Sequence, residues 1–178
     1  MQRPDDERAP AAGASTGSRT YAAIQDPKPE AIVVYCSDPR FQPAFREFIQ
    51  KELGLAEGHY IPLVIGGGAG VLAHRDQLPK DFKVLKDRLE MHLAKFSSIR
   101  RVVLINHEDC QYYETLRDKL PHLFSAHLSG ASDKQRRDLG TVATVLLGLL
   151  SSKLGMELYY ARFQDPEHTR IAFERIAS

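Results

Sequence analysis

The stretch Ala31–Arg40, "AIVVYCSDPR", sets an uncharged β-favouring run directly against a thiol, a carboxylate and a guanidinium at alternate positions. Ala31 to Tyr35 carries no charge and includes three consecutive β-branched residues, the pattern of a strand covered on both faces. Cys36, Asp38 and Arg40 follow at two-residue spacing, which in extended or tightly turned backbone puts them on one side. Polar chemistry therefore starts where a buried strand ends.

The same alternation continues outward from this strand. Pro43 to Leu53 places Phe45, Phe48, Ile49 and Leu53 at helical spacing, with Gly54 as the stop. Tyr60 to Ile65 reads as a second strand running into Gly66-Gly67-Gly68-Ala69-Gly70. A long helix is expected over Pro79 to Phe96, with Phe82, Leu85, Leu89, His92 or Leu93, and Phe96 on one stripe. Arg101 to Asn106 is the third strand and ends at His107. An apolar helix is expected over Asp138 to Leu154, and "MELYYARF" and "TRIAF" read as strands around a turn at Gln164 to Glu167.

Strands alternating with helices of this length predict an α/β fold: a central, mostly parallel β-sheet flanked by helices. Residues 29–178 form this single domain. Residues 1–28, rich in Pro, Ala, Gly, Ser and charge, read as a flexible N-terminal arm in which Tyr21 to Ile24 docks as a short helix. Ligands of such sheets gather at the carboxyl ends of the strands. Cys36, the glycine cluster and His107 each follow a strand directly, so three separated segments are expected to meet on one edge.

Composition narrows the classes of function. The chain has 178 residues with 24 basic against 23 acidic ones, a balance that gives no sign of nucleic acid as a partner. No apolar run is long enough to span a bilayer and no secretory signal is visible, so a cytoplasmic protein with no membrane partner is expected. Its two cysteines, Cys36 and Cys110, are then reduced thiols rather than a structural disulfide.

Cys110 lies in Asn106-His107-Glu108-Asp109-Cys110, where a His and a Cys three apart at a strand end can face one atom. Two thiolates and one imidazole suit zinc and exclude hard ions such as magnesium. Three protein ligands leave a fourth position open, as a catalytic zinc requires. Asp38 has two available partners there: the metal, which it would close as fourth ligand, or Arg40, which leaves the position to water.

"CSDPR" followed downstream by "HEDC" resembles the paired Cys-x-Asp-x-Arg and His-x-x-Cys signature of the β-class carbonic anhydrases. The resemblance follows the order of elements over roughly residues 28 to 176. It implies that Cys36, His107 and Cys110 bind Zn²⁺ and that Asp38 with Arg40 forms the catalytic dyad. The activity implied is reversible hydration of carbon dioxide to bicarbonate, with zinc lowering the pKa of its water to roughly 7. It also implies a homodimer or tetramer, with the pocket at the subunit interface and the arm wrapping the neighbour.

The chain departs from the family pattern in three places. "IGGGAG" stands where the family has an Arg-Asn-x-Gly-like loop, so only backbone N–H groups of the loop, at Gly67 and Gly68, are expected to line the substrate pocket. Gln111, Tyr112 and Tyr113 follow Cys110 where the family has Gly, and these bulkier groups narrow or reshape the pocket. Gln25 is two positions out of register with a family glutamine that lines the substrate site. These departures open two alternatives: hydrolysis of carbonyl sulfide or carbon disulfide, and an inactive binding or regulatory relative that keeps the zinc.

Other readings of the same residues are weaker. The glycine spacing is G-x-G-x-G with the helix delayed to Pro79, which does not suit a dinucleotide. Only three residues separate Cys36 from Arg40, too few for a cysteine phosphatase. A redox switch through Cys36 and Cys110 is a further alternative. His59, His122, His127 and His168 are expected to be solvated; for His74, which follows the glycine loop, an approach to the site is the weaker of two readings.

Overall fold

The computed structural model describes residues 18, 20–124, 131–150 and 154–177. Five strands, β1 (Ala31–Cys36), β2 (Tyr60–Ile65), β3 (Arg101–His107), β4 (Gly155–Phe163) and β5 (Ile171–Ile176), form one sheet in the order β2-β1-β3-β4-β5 among the described residues. The first four run parallel and β5 is antiparallel to β4. Helices α1 (Gln42–Lys51), α2 (Pro79–Lys95), α3 (Gln111–Lys119) and α4 (Ala131–Leu149) connect them, with 3₁₀ turns at Gly68–Ala73 and Pro121–Leu123.

Period-two alternation sorts β1 and β3 onto two cores. Ile32, Val34, Val102 and Leu104 face one core together with Leu85 and Leu89 of α2 and Leu139, Val142 and Leu146 of α4. Ala31, Val33, Tyr35, Val103 and Ile105 face the other with Phe45, Phe48 and Ile49 of α1. All six residues of β1 are buried, as a central strand covered on both faces must be.

This topology decides where the chemistry lies. β1 pairs with both β2 and β3, so Cys36 stands opposite Ile65 and beside the strand that ends at His107. Ser37 continues the ladder by donating its N–H to the Ile65 carbonyl at 3.1 Å. The glycine loop, Cys36 and His107 thus meet on the carboxyl edge of the sheet.

Several elements differ from expectation. The short helix around Tyr21 to Ile24 is absent: the segment has no regular structure and both side chains are exposed. Four residues without a buried face cannot offset helix nucleation. Residues 1–17 and 19 of the arm, and His127, lie outside the described residues. β5 begins at Ile171 rather than Thr169 because Asp165 takes the preceding backbone: its carboxylate accepts N–H groups of Thr169 and Arg170, both at 2.8 Å.

Those bonds hold the Asp165 carboxyl below the ordinary carboxylate range, the Thr169 N–H contributing most. A depressed folded-state pKa stabilises above the unfolded value and is lost as pH falls through the folded one. The Thr169 and Arg170 amides should therefore lose hydrogen-exchange protection on acidification. Asp165→Asn should remove that pH dependence.

Helix α4 starts at Ala131, seven residues before the expected Asp138. Its first turns carry Lys134, Gln135 and Asp138, which are buried although polar, so apolar periodicity marks only the part from Leu139. Asp138 accepts from Lys134 Nζ at 2.6 Å and from the Tyr113 hydroxyl at 3.0 Å, and lies 2.8 Å from His74 Nε2. Buried polar groups satisfied in this way tie α3 and α4 to the end of the glycine loop. Tyr113→Phe should cost about 1 kcal/mol of unfolding free energy, read by denaturant titration, because Asp138 keeps its other partners.

Candidate metal centre

Cys36 at the end of β1, His107 at the end of β3 and Cys110 at the start of α3 are all buried, and their ligand atoms lie within 4.8 Å of one another. Among the described residues this is the only such group of three or more His, Cys, Asp or Glu side chains. Both cysteines are free thiols with Sγ atoms 3.7 Å apart. Two sulfurs on a tetrahedral zinc, each about 2.3 Å from it, stand about 3.8 Å apart. The spacing fits the ion.

The imidazole fits as well. His107 Nδ1 lies 2.7 Å from the Glu108 carbonyl, which only accepts, so Nδ1 carries the proton and Nε2 the lone pair. Nε2 is buried with no hydrogen-bond partner. The Phe41 ring, centroid 4.2 Å from the imidazole, fixes its plane. A backbone carbonyl on the far nitrogen is the usual support of a metal-binding histidine.

The thiols form one proton-sharing pair. A hydrogen bond from Cys110, reinforced by His107 against the effect of burial, drives the Cys36 thiol down to about 4. Cys110 is pushed upward, first by serving as donor to Cys36 and then by burial. The pair thus favours one shared proton, and a cation that displaces it takes up both sulfurs.

Asp38 sits on Arg40. Arg40 Nε lies 3.1 Å from Asp38 Oδ1 and Nη2 lies 2.7 Å from Oδ2, a bidentate pair. These bonds hold the Asp38 carboxyl below its ordinary range. The same guanidinium donates to Asp109 Oδ2 at 2.6 Å and to the Asp109 carbonyl at 2.7 Å. Arg40 therefore clips the loop after β1 to the turn that joins His107 to Cys110. Asp109 adopts φ +51, the left-handed conformation that turns the chain back towards Cys110.

A cleft of about 460 Å³ opens over these groups, lined by Cys36, Asp38, Arg40, Gly66, Asp109 and Tyr112 among others. Larger clefts lie elsewhere, one of about 660 Å³ between Phe96, Arg100 and Leu150, but among the described residues no metal-ligand cluster lines them. Tyr112 is half-buried; burial first, then Asp81 and Cys110, pushes its phenol up to about 12, so it is neutral.

The glycine loop divides between cleft and interior. Gly66, exposed, lines the cleft, while Gly67 and Gly68 are buried: Gly67 lies under the Tyr112 ring and Gly68 against Asn106, Ile105 and the Cys36 backbone. His74 does not join the cysteines but lies in the Asp138 network. His59 and His122 are exposed as expected; His168 is exposed too, yet its ring stacks on Phe163 at 4.0 Å.

Two further residues belong to the site. Gln42 Nε2 donates to the carbonyls of Cys36 at 2.8 Å and Asp38 at 2.9 Å, holding the loop between them. Asp109 is the other. A glutamine at a helix start and one carboxylate beside another in "HEDC" carry no distinguishing pattern, and only the fold shows what they reach.

Taken together, the architecture is an α/β sheet with a Cys-His-Cys cluster at its carboxyl edge. No family model matches the sequence, and no curated protein matches it significantly. Solved structures do match in fold. The β-carbonic anhydrase isoform I of the protozoan Trichomonas vaginalis is 11% identical with a TM-score of 0.52, over 87% of each chain. The β-carbonic anhydrase CcaA is 14% identical with a TM-score of 0.51, over 85% of this chain and 78% of that one. The protein has a β-carbonic-anhydrase-like fold.

Proposed function

We infer that the protein is a zinc-dependent carbonic anhydrase, catalysing the reversible hydration of carbon dioxide to bicarbonate. The observation that carries this reading is the convergence of Cys36, His107 and Cys110 beside a cleft lined by both cysteines and by the Asp38–Arg40 pair. Cys36 Sγ, Cys110 Sγ and His107 Nε2 would hold the zinc. When bound, zinc acidifies water to a pKa of about 7, so that hydroxide is supplied near neutral pH.

The remaining work falls to the protein. Asp38, kept ionised by Arg40, accepts a hydrogen bond from the nucleophile and aims its lone pair at the carbon of the substrate. Arg40, tied at both ends by Asp38 and Asp109, keeps that carboxylate off the position that water needs. Phe41 and the Glu108 carbonyl keep the imidazole from turning. The proton released on hydration passes to buffer. Two thiolate ligands require a reducing compartment, which we assign to the cytoplasm, with a homodimer or tetramer as the working unit.

A second reading, hydrolysis of carbonyl sulfide or carbon disulfide, is favoured by the glycine loop, whose residues 66–68 offer no side-chain donor to a substrate. Stopped-flow assays of the zinc-loaded chain separate the two. Carbon dioxide hydration well above the buffer rate supports the first; turnover of the sulfur compounds alone supports the second. No turnover of any of the three overturns both.

A further inference from the structure

The cleft is lined by two unlike sets of groups. One is Asp38, Arg40 and Asp109, whose charges are spent on one another. The other includes Tyr112 and Gly66. Tyr112 is placed by a close fit to the glycine loop. A Cβ on Gly67 would stand 2.3 Å from Tyr112 Cδ1 and 2.7 Å from Cε1, and one on Gly66 would stand 3.4 Å from Cδ2.

The ring therefore lies against Gly67 at a distance no side chain at that residue would permit, and in ordinary contact range of Gly66. Gly67 is required twice, since its φ of +78 also belongs to the left-handed region. The Tyr113 ring stands edge-on to Tyr112, with centroids 6.4 Å apart, and supports it from behind. Tyr112 also packs with Cys36, Cys110 and Tyr113.

We propose that Tyr112 is the specificity-determining residue of the cleft, its ring forming an apolar wall that admits molecules of three or four heavy atoms and excludes groups as wide as an aromatic ring. The proposal rests on the metal reading above. An aromatic face offers dispersion contact without hydrogen bonds, which suits a substrate with no donors. The phenol oxygen is not needed for this role; the ring is.

The test replaces zinc by Co²⁺ in the full chain and follows azide and benzoate binding by visible absorption. Tyr112→Ala should tighten benzoate binding about tenfold while azide changes little, because a removed wall helps only the wider anion. Tyr112→Phe should match the unsubstituted protein. Gly67→Ala, which pushes the ring off its ledge into the cleft, should act in the opposite sense and weaken azide. Melting curves supply a readout free of metal: Gly67→Ala should destabilise less when Tyr112 is already Ala.

Unchanged benzoate affinity in Tyr112→Ala, a Tyr112→Phe protein that behaves like Tyr112→Ala, or additive melting effects would each overturn the proposal alone. A chain that takes up no cobalt overturns the metal reading, and the proposal falls with it.

Discussion

Cys110→Ser protein, purified in parallel with the unsubstituted chain, should contain almost no zinc. A serine hydroxyl is nearly the size of a thiol but does not ionise near neutral pH, so the site loses an anionic ligand. Loss of a mere supporting partner of a ligand costs about 10–100-fold in metal affinity, and loss of the ligand itself exceeds that. The fold should persist, because Cys110 occupies a small buried position where Ser is accommodated. Circular dichroism that matches the unsubstituted chain, alongside zinc near zero, is the expected pair of results. Cys36→Ser should behave alike. Retained stoichiometric zinc in either variant would remove that cysteine from the ligand set.

Asp38→Asn should give the converse: zinc retained and carbon dioxide hydration reduced by about 10²–10⁴-fold, the span that a positioned proton acceptor contributes. Asn preserves shape and one acceptor oxygen but not the charge. Arg40 would remain anchored by the Asp109 carboxylate and carbonyl, so the loop after β1 should keep its place. The drop should fall on kcat more than on KM, since Asp38 is proposed to act on the nucleophile rather than to bind substrate. An Asp38→Asn protein with unimpaired hydration would mean that the Asp38–Arg40 pair only braces the loop.

Much of this arrangement was legible in the chain because two simple periodicities govern it. β1, β2 and β3 stand within a residue of their expected limits, since runs such as "AIVVY" and "RVVLIN" carry apolar residues on both faces. With those strands parallel and adjacent, Cys36 and His107 had to end on one edge. The start of α4 was not legible: Lys134, Gln135 and Asp138 look like a solvated turn, and only the partners His74, Tyr113 and Tyr160 make their burial tolerable. α3 was missed for a related reason, because "QYYETLRDK" buries only Tyr113 and Leu116 and shows little periodicity.

The site divides in the same way. Cys36, His107 and Cys110 could be grouped from spacing and strand ends, whereas the second carboxylate on Arg40 depends on Asp109 taking a left-handed backbone that no local pattern announces. The steric part of the glycine loop carries no local signal. Gly67 makes room for Tyr112, a residue that lies 45 positions further along the chain.

Metal analysis of the full chain, purified under reducing conditions without chelator and paired with thiol counting, tests the central claim most directly. The account predicts about one zinc per chain, with Cys36 and Cys110 shielded from thiol reagents until the metal is stripped. A chain free of zinc after incubation with the ion, both thiols reacting at once, would contradict it.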